Sequence, residues 1–118
     1  MTNNAENLDI VFQALADKTR RTVLQRLADG PLTVSELASP FEMALPSFMQ
    51  HLKVLEDSGL IRSRKEGRVR TCEITPMNLV PAESWIIDQR KIWQDRFNRL
   101  DGLLLRLQKQ DQRHDSDE

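Results

Sequence analysis

The 118-residue chain has no tyrosine, and only 5% of it is aromatic. That scarcity argues against a large all-β fold, whose sheets draw heavily on aromatic and β-branched side chains. Cys72 is the single cysteine. One thiol excludes an internal disulfide and a thiolate-rich metal site, and a reducing cytoplasm is the simplest compartment for it. No stretch of about 18 apolar residues exists, so no membrane-spanning helix is expected. Met1-Thr2-Asn3-Asn4-Ala5-Glu6 has neither a basic nor an apolar region, so no signal peptide is expected. Also missing are a glycine-rich phosphate loop, paired histidines and a cysteine beside a base. An enzyme is therefore not expected, and neither a metal nor a cofactor is assigned.

Excess charge of one sign is absent too. The formal net charge is −1, which speaks against a nonspecific nucleic-acid coat but leaves local patches to decide. Over 62–70, Arg62, Arg64, Lys65, Arg68 and Arg70 oppose Glu66 alone. Near the end, Asp111, Asp115, Asp117 and Glu118 oppose Arg113. The balance is a basic patch offset by an acidic end, and 108–118 is expected to be a charged, disordered tail. The rest, 1–107, is expected to be one domain, long enough to hold one core.

What the chain does contain is concentrated in residues 33–74. Leu8, Val11, Phe12 and Leu15 predict a first helix. Asp17 caps a second helix with Val23, Leu24 and Leu27 on one face, and Gly30-Pro31 ends it. Arg20 lies near the apolar side of that helix, where pairing with Asp17 is expected, and Arg21 is expected at the surface. Thr33 and Glu36 form a capping box for a short helix holding Val34, Leu37 and Ala38, which Ser39-Pro40 stops. The next helix, 46–58, opens at Pro46 and closes at Gly59. Phe48, Leu52 and Leu55 share one face, while Gln50, Lys53 and Asp57 point away, flanked by Ser47, Met49 and Val54. Strands over 60–65 and 68–75, joined by a Glu66-Gly67 turn, place Ile61, Cys72 and Ile74 on one side.

This order is a helix-turn-helix followed by a basic hairpin, a mainly α (α+β) winged fold. Such a device reads double-stranded DNA, with a helix in the major groove and the hairpin on phosphates. Gln50 suits adenine, Ser47 a base or a phosphate, and Lys53 guanine or phosphate. Met49 lies beside them. His51, at the edge of the apolar face, either bonds within the domain or touches DNA. Arg64, Lys65, Arg68 and Arg70 cluster about the turn, where long cations reach phosphates. A protein-interaction module on the same fold is the alternative, and it would lack the steep salt dependence of DNA binding.

A last helix is expected over 82–110, spanning about 43 Å at 1.5 Å per residue. Its Trp93, Phe97, Leu100, Leu104 and Leu107 are spaced by four, three, four and three residues, a heptad seam. The helix is too long for about 80 other residues to cover, so the seam is read as a homodimer interface, with Val11 of the first helix contributing. Trp85 and Trp93 lining a ligand pocket is the other reading.

In order along the chain, Leu15-Ala16-Asp17-Lys18-Thr19-Arg20-Arg21, Val34-Ser35-Glu36-Leu37-Ala38, His51-Leu52-Lys53-Val54-Leu55, Ser58-Gly59-Leu60-Ile61 and Lys65-Glu66-Gly67-Arg68 resemble the ArsR/SmtB family over roughly 8–107. Those are winged-helix transcriptional repressors of bacteria and archaea. The resemblance implies a cytoplasmic homodimer built from the first and last helices, bound to an operator and often released by an inducer. The chain departs from the family pattern twice. The helix that carries the family's thiolates has no cysteine at 36–39, and the last helix has Asp88 and Asp95 but no histidine before His114. This resembles the branch without metal-site cysteines and with tryptophans in the final helix. Ala44 and Met49 stand where the family commonly has serine, and Gln50 where it often has a basic residue, so the operator sequence does not carry over.

Overall fold

A computed structural model describes residues 4–116, with side-chain surroundings for 7–111. In chain order it contains α1 (Asn4–Leu15), α2 (Lys18–Leu27), β1 (Leu32–Thr33), α3 (Val34–Ala38), α4 (Leu45–Asp57), β2 (Ile61–Glu66), β3 (Val69–Ile74), a 3-10 turn (Pro76–Leu79) and α5 (Val80–Ser116). The chain divides into a folded unit ending at Ala82 and a helical remainder beginning at Glu83.

The helix starts follow from their capping residues. The Asp17 carboxylate accepts from the Arg20 backbone N–H at 3.1 Å, satisfying one of the amides that open α2. Thr33 and Glu36 complete the expected capping box at α3. Pro46 stands in the first turn of α4, which begins one residue earlier, at Leu45. Ser58 is the C-cap, and Gly59 follows in the left-handed region at φ +78°, where its N–H bonds to the Glu56 carbonyl at 2.9 Å.

The sheet has three antiparallel strands in the order β1-β3-β2. The hairpin register differs from the sequence expectation. Glu66 pairs with Val69, so the loop is Gly67-Arg68 rather than Glu66-Gly67. Gly67 takes φ +65° and no other residue in the wing has positive φ. A glycine at the first of two loop positions is the pattern of the II′ hairpin. Sliding the turn by one residue moves the cross-strand partner by two, so Ile61 faces Ile74, and Cys72 faces Ser63. A two-residue shift preserves sidedness, which is why Ile61, Cys72 and Ile74 still share a face. β1, two residues long, is too short for any periodic pattern and was not foreseen.

The core gathers Val11 and Ala14 of α1, Val23, Leu24 and Leu27 of α2, and Leu37 of α3. Phe48, Leu52 and Leu55 of α4 join them, with Leu60, Ile61, Cys72 and Ala82. Val11 is only 4% exposed. This corrects its assignment to an interface: the side chain is already spent on the protein's own core. Ile10, its neighbour, is an exposed apolar residue of α1.

α5 is longer than expected, with 37 residues, or about 56 Å. It continues through 108–116, where the charge pattern suggested a disordered tail; 117 and 118 lie outside the described residues. Beyond Ala82, most of its large apolar residues are exposed, among them Trp85, Trp93, Phe97, Leu100, Leu104 and Leu107.

Candidate nucleic-acid interface

α4 shows the two-faced pattern its spacing predicts. Phe48, Leu52 and Leu55 are buried, while Ser47, Gln50 and Lys53 are exposed. Met49 and Val54 are half-buried and pack against the core. Met49 therefore offers only one edge to a ligand, and lines a groove with Val34, Ser35, Lys65 and Arg68.

His51 is held from behind. Arg20 donates from Nε to the Ala14 carbonyl at 2.8 Å, from Nη2 to the Gln13 carbonyl at 2.9 Å, and from Nη1 to His51 Nδ1 at 3.1 Å. One guanidinium thus satisfies carbonyls at the end of α1 and fixes α4 against α1 and α2. Guanidinium has only donors, so this contact uses Nδ1 as acceptor and leaves Nε2 free to donate. The expected Arg20–Asp17 side-chain pair does not form. Arg20 gives its backbone N–H to Asp17 and sends its side chain to α1 instead. The Asp17 carboxylate lies 3.7 Å from His51 Nδ1. Burial pushes its pKa up, but the backbone N–H groups of Arg20 and Thr19 and the neighbouring His51 and Arg20 side chains outweigh this. The net result lies below the ordinary carboxylate value. Arg21 is exposed, as expected, and donates to the Leu15 carbonyl at 2.8 Å.

The turn between α2 and α3 is secured in the same way. Arg26 donates to the Glu36 and Leu37 carbonyls at 2.9 and 2.8 Å, closing α3 from the side of α2.

In the wing, strand alternation sorts the cations. Arg62 and Arg64 lie on the sheet face away from Cys72, where Arg62 pairs with Glu73, and Arg64 sits 3.6 Å from Glu66. Such exposed pairs hold weakly and leave the cations available. Arg68, in the loop, and Lys65 are exposed and have no ion-pair partner among the described residues.

Arg70 is different. It lies on the same face as Ser63 and Cys72, where it approaches Glu56 of α4 at 3.9 Å and donates to Ser63 Oγ at 3.5 Å. Ser63 Oγ in turn donates to the Glu56 carboxylate. Glu56 and Ser63 escaped the sequence reading. The available signal was Ser63, the polar residue two positions beyond buried Ile61 on the core-side face of β2. Burial pushes the Cys72 thiol up, and Glu56 adds to this against the opposing effect of Arg70. Among the described residues, no three His, Cys, Asp or Glu side chains come together as a metal site, and no helix is long and apolar enough to cross a membrane.

The comparisons agree with this architecture. Residues 15–64 match a helix-turn-helix domain family. An HTH-type transcriptional regulator of Mycobacterium tuberculosis is 45% identical over 71 residues, 60% of this chain and 66% of that protein. The arsenical resistance operon repressor of Escherichia coli is 31% identical over 90 residues, 70% of this chain and 75% of the repressor. The crystal structure of an ArsR family transcriptional regulator superposes with a TM-score of 0.74 at 56% identity, covering 80% of this chain and 97% of the other. With its capped helix-turn-helix, its hairpin wing and these relatives, the chain belongs to the ArsR family of transcriptional regulators.

Proposed function

We propose that the protein is a cytoplasmic repressor that binds an operator as a homodimer, performs no catalysis, and yields the operator to an inducer of unknown identity. The observation that carries this reading is a polar, exposed helix face beside a cationic hairpin within one folded unit. Gln50 and Ser47, with Lys53 and the open edge of Met49, read base edges from α4 in the major groove. His51, its Nδ1 occupied, offers Nε2–H to the backbone. Arg64, Lys65 and Arg68 sit on phosphates. The homodimer rests on the exposed Trp93, Phe97, Leu100, Leu104 and Leu107 of α5. The reading takes 1–107 as the functional domain and 108–118 as dispensable for operator binding.

Three phosphates per protomer make about six per dimer, so log K against log salt should slope near −5, from about −0.9 per phosphate. Gln50→Ala should cost about 1–3 kcal/mol per half-site on the operator and little on random DNA. Arg68→Ala should weaken all sequences alike and flatten the slope by about two. Binding titrations on genomically selected and scrambled duplexes over a salt series measure both. Equal losses on both duplexes for both variants would remove Gln50 from base readout, and a flat salt response would favour a protein partner instead.

A further inference from the structure

The wing and the recognition helix must reach the duplex together, so whatever fixes their spacing sets the fit. Among the described residues, the polar link between them runs through Glu56. Its carboxylate, three turns along α4 from Leu45, receives the Ser63 hydroxyl of β2 and lies 3.9 Å from Arg70 of β3. Arg70 also donates to Ser63 at 3.5 Å, so the three side chains close on one another. The carboxylate is 30% exposed and the arginine 44%, so the cluster sits at the lip of the groove between helix and wing. Arg70 also lines the hollow beside Gln50 and Lys53. Its charge is thus next to the DNA-facing side but already engaged. Among the described residues, the other wing cations either have no ion-pair partner or pair with acids of the wing itself, Arg62 with Glu73 and Arg64 with Glu66, so Arg70 alone is tied to α4.

We propose that Glu56 is a positioning residue for DNA binding: it ties the wing to α4 through Ser63 and Arg70, and withholds Arg70 from phosphate. This rests on the DNA-binding reading above. The tie does two things. It fixes the separation of the base-reading and phosphate-gripping elements, so that a phosphate contact made by Arg68 holds Gln50 in register with a base. It also limits the number of sequence-indifferent contacts, because an arginine bound to carboxylate does not displace a counterion from DNA. Removing the tie therefore strengthens binding to any duplex while lowering discrimination among duplexes.

The test is a salt series on the full chain with selected and scrambled duplexes, using wild type, Arg70→Ala, Glu56→Gln and the double variant. Thermal melts of each confirm that it is folded. With Glu56 present, Arg70→Ala should leave the slope of log K against log salt unchanged. Glu56→Gln should steepen it by about two per dimer, one extra phosphate per protomer, and reduce the ratio of operator to random affinity several-fold. The double variant should return to the wild-type slope. Ser63→Ala, which keeps both charges, should lower the ratio without changing the slope. A merely structural Glu56 would change the melts and leave the slope alone. The inference is overturned if Arg70→Ala flattens the wild-type slope, if Glu56→Gln leaves slope and ratio unchanged, or if the steepening survives Arg70→Ala. Those results leave wild-type, salt-dependent binding intact and so sink this inference alone, whereas a wild-type protein with no salt-dependent binding would overturn the DNA-binding reading as well.

Discussion

Phe48, Leu27, Leu37 and Leu55 are sealed from solvent in the unit that ends at Ala82, whereas Trp93, Phe97, Leu100 and Leu104 stand about half exposed along α5. The side chains are of one kind and the environments are opposite. Burying each is worth about 1.5–3 kcal/mol. The first group gains this within its own chain. The second group would gain it from another surface, and under the proposed homodimer α5 is the part of the molecule whose state depends on protein concentration.

The strongest way to break this comparison is Leu100→Asp. A carboxylate in the middle of the stripe should abolish the dimer, leaving monomer or unfolded chain in sedimentation velocity runs. A folded dimer at wild-type concentration would show that the stripe is not the interface. Phe48→Ala attacks the other region. Phe48 is 1% exposed and its ring stacks at a tilt on Phe41, 5.4 Å between centroids. Its loss should cost about 3–5 kcal/mol. Denaturant melts at several protein concentrations should give the same cost each time.

The smallest effect sharpens the comparison within the folded unit. Asp17→Ala removes a helix cap and should cost about 1 kcal/mol at neutral pH. The folded-state pKa of Asp17 lies below its unfolded value of about 3.9. The stabilisation from the charged form is thus present above the unfolded value and lost as pH falls through the lower folded value. Acid melts should accordingly show wild type and Asp17→Asn, which keeps the capping oxygen, converging below that range. A constant gap between them down to the lowest pH would remove the charge from the account.

Much of the architecture was legible because its signals are local. A capping box joins residues three apart, and a glycine past a helix end serves its own turn; both can be read without knowing what lies elsewhere. The partners of Arg20 and Arg70 were not legible, because each depends on which helix the fold brings alongside. Arg20 meets α1 carbonyls and a histidine 31 positions away. For Arg70 the sequence shows the cations of a wing but not the Glu56 carboxylate that the fold brings beside one of them. Val11 was misplaced for a related reason. Apolar residues at 8, 10, 11, 12 and 15 wrap most of α1, and periodicity alone does not say which of them the core takes.

β1 is only two residues long, yet Leu32 pairs with Cys72, forty positions further along. Between those ends lie α3, α4, β2 and the first half of β3. Closing so long a loop is entropically slow compared with forming a helix or a hairpin. Once closed, β1 joins the start of α3 to the strand that carries the wing. In hydrogen exchange, the amides of β1 and their β3 partners should report the global unfolding free energy, while those at the Gly67-Arg68 tip exchange through local fraying. Under the proposed DNA-binding reading, β1 thus ties the helix-turn-helix and the wing, the two proposed grips on the operator, into one sheet.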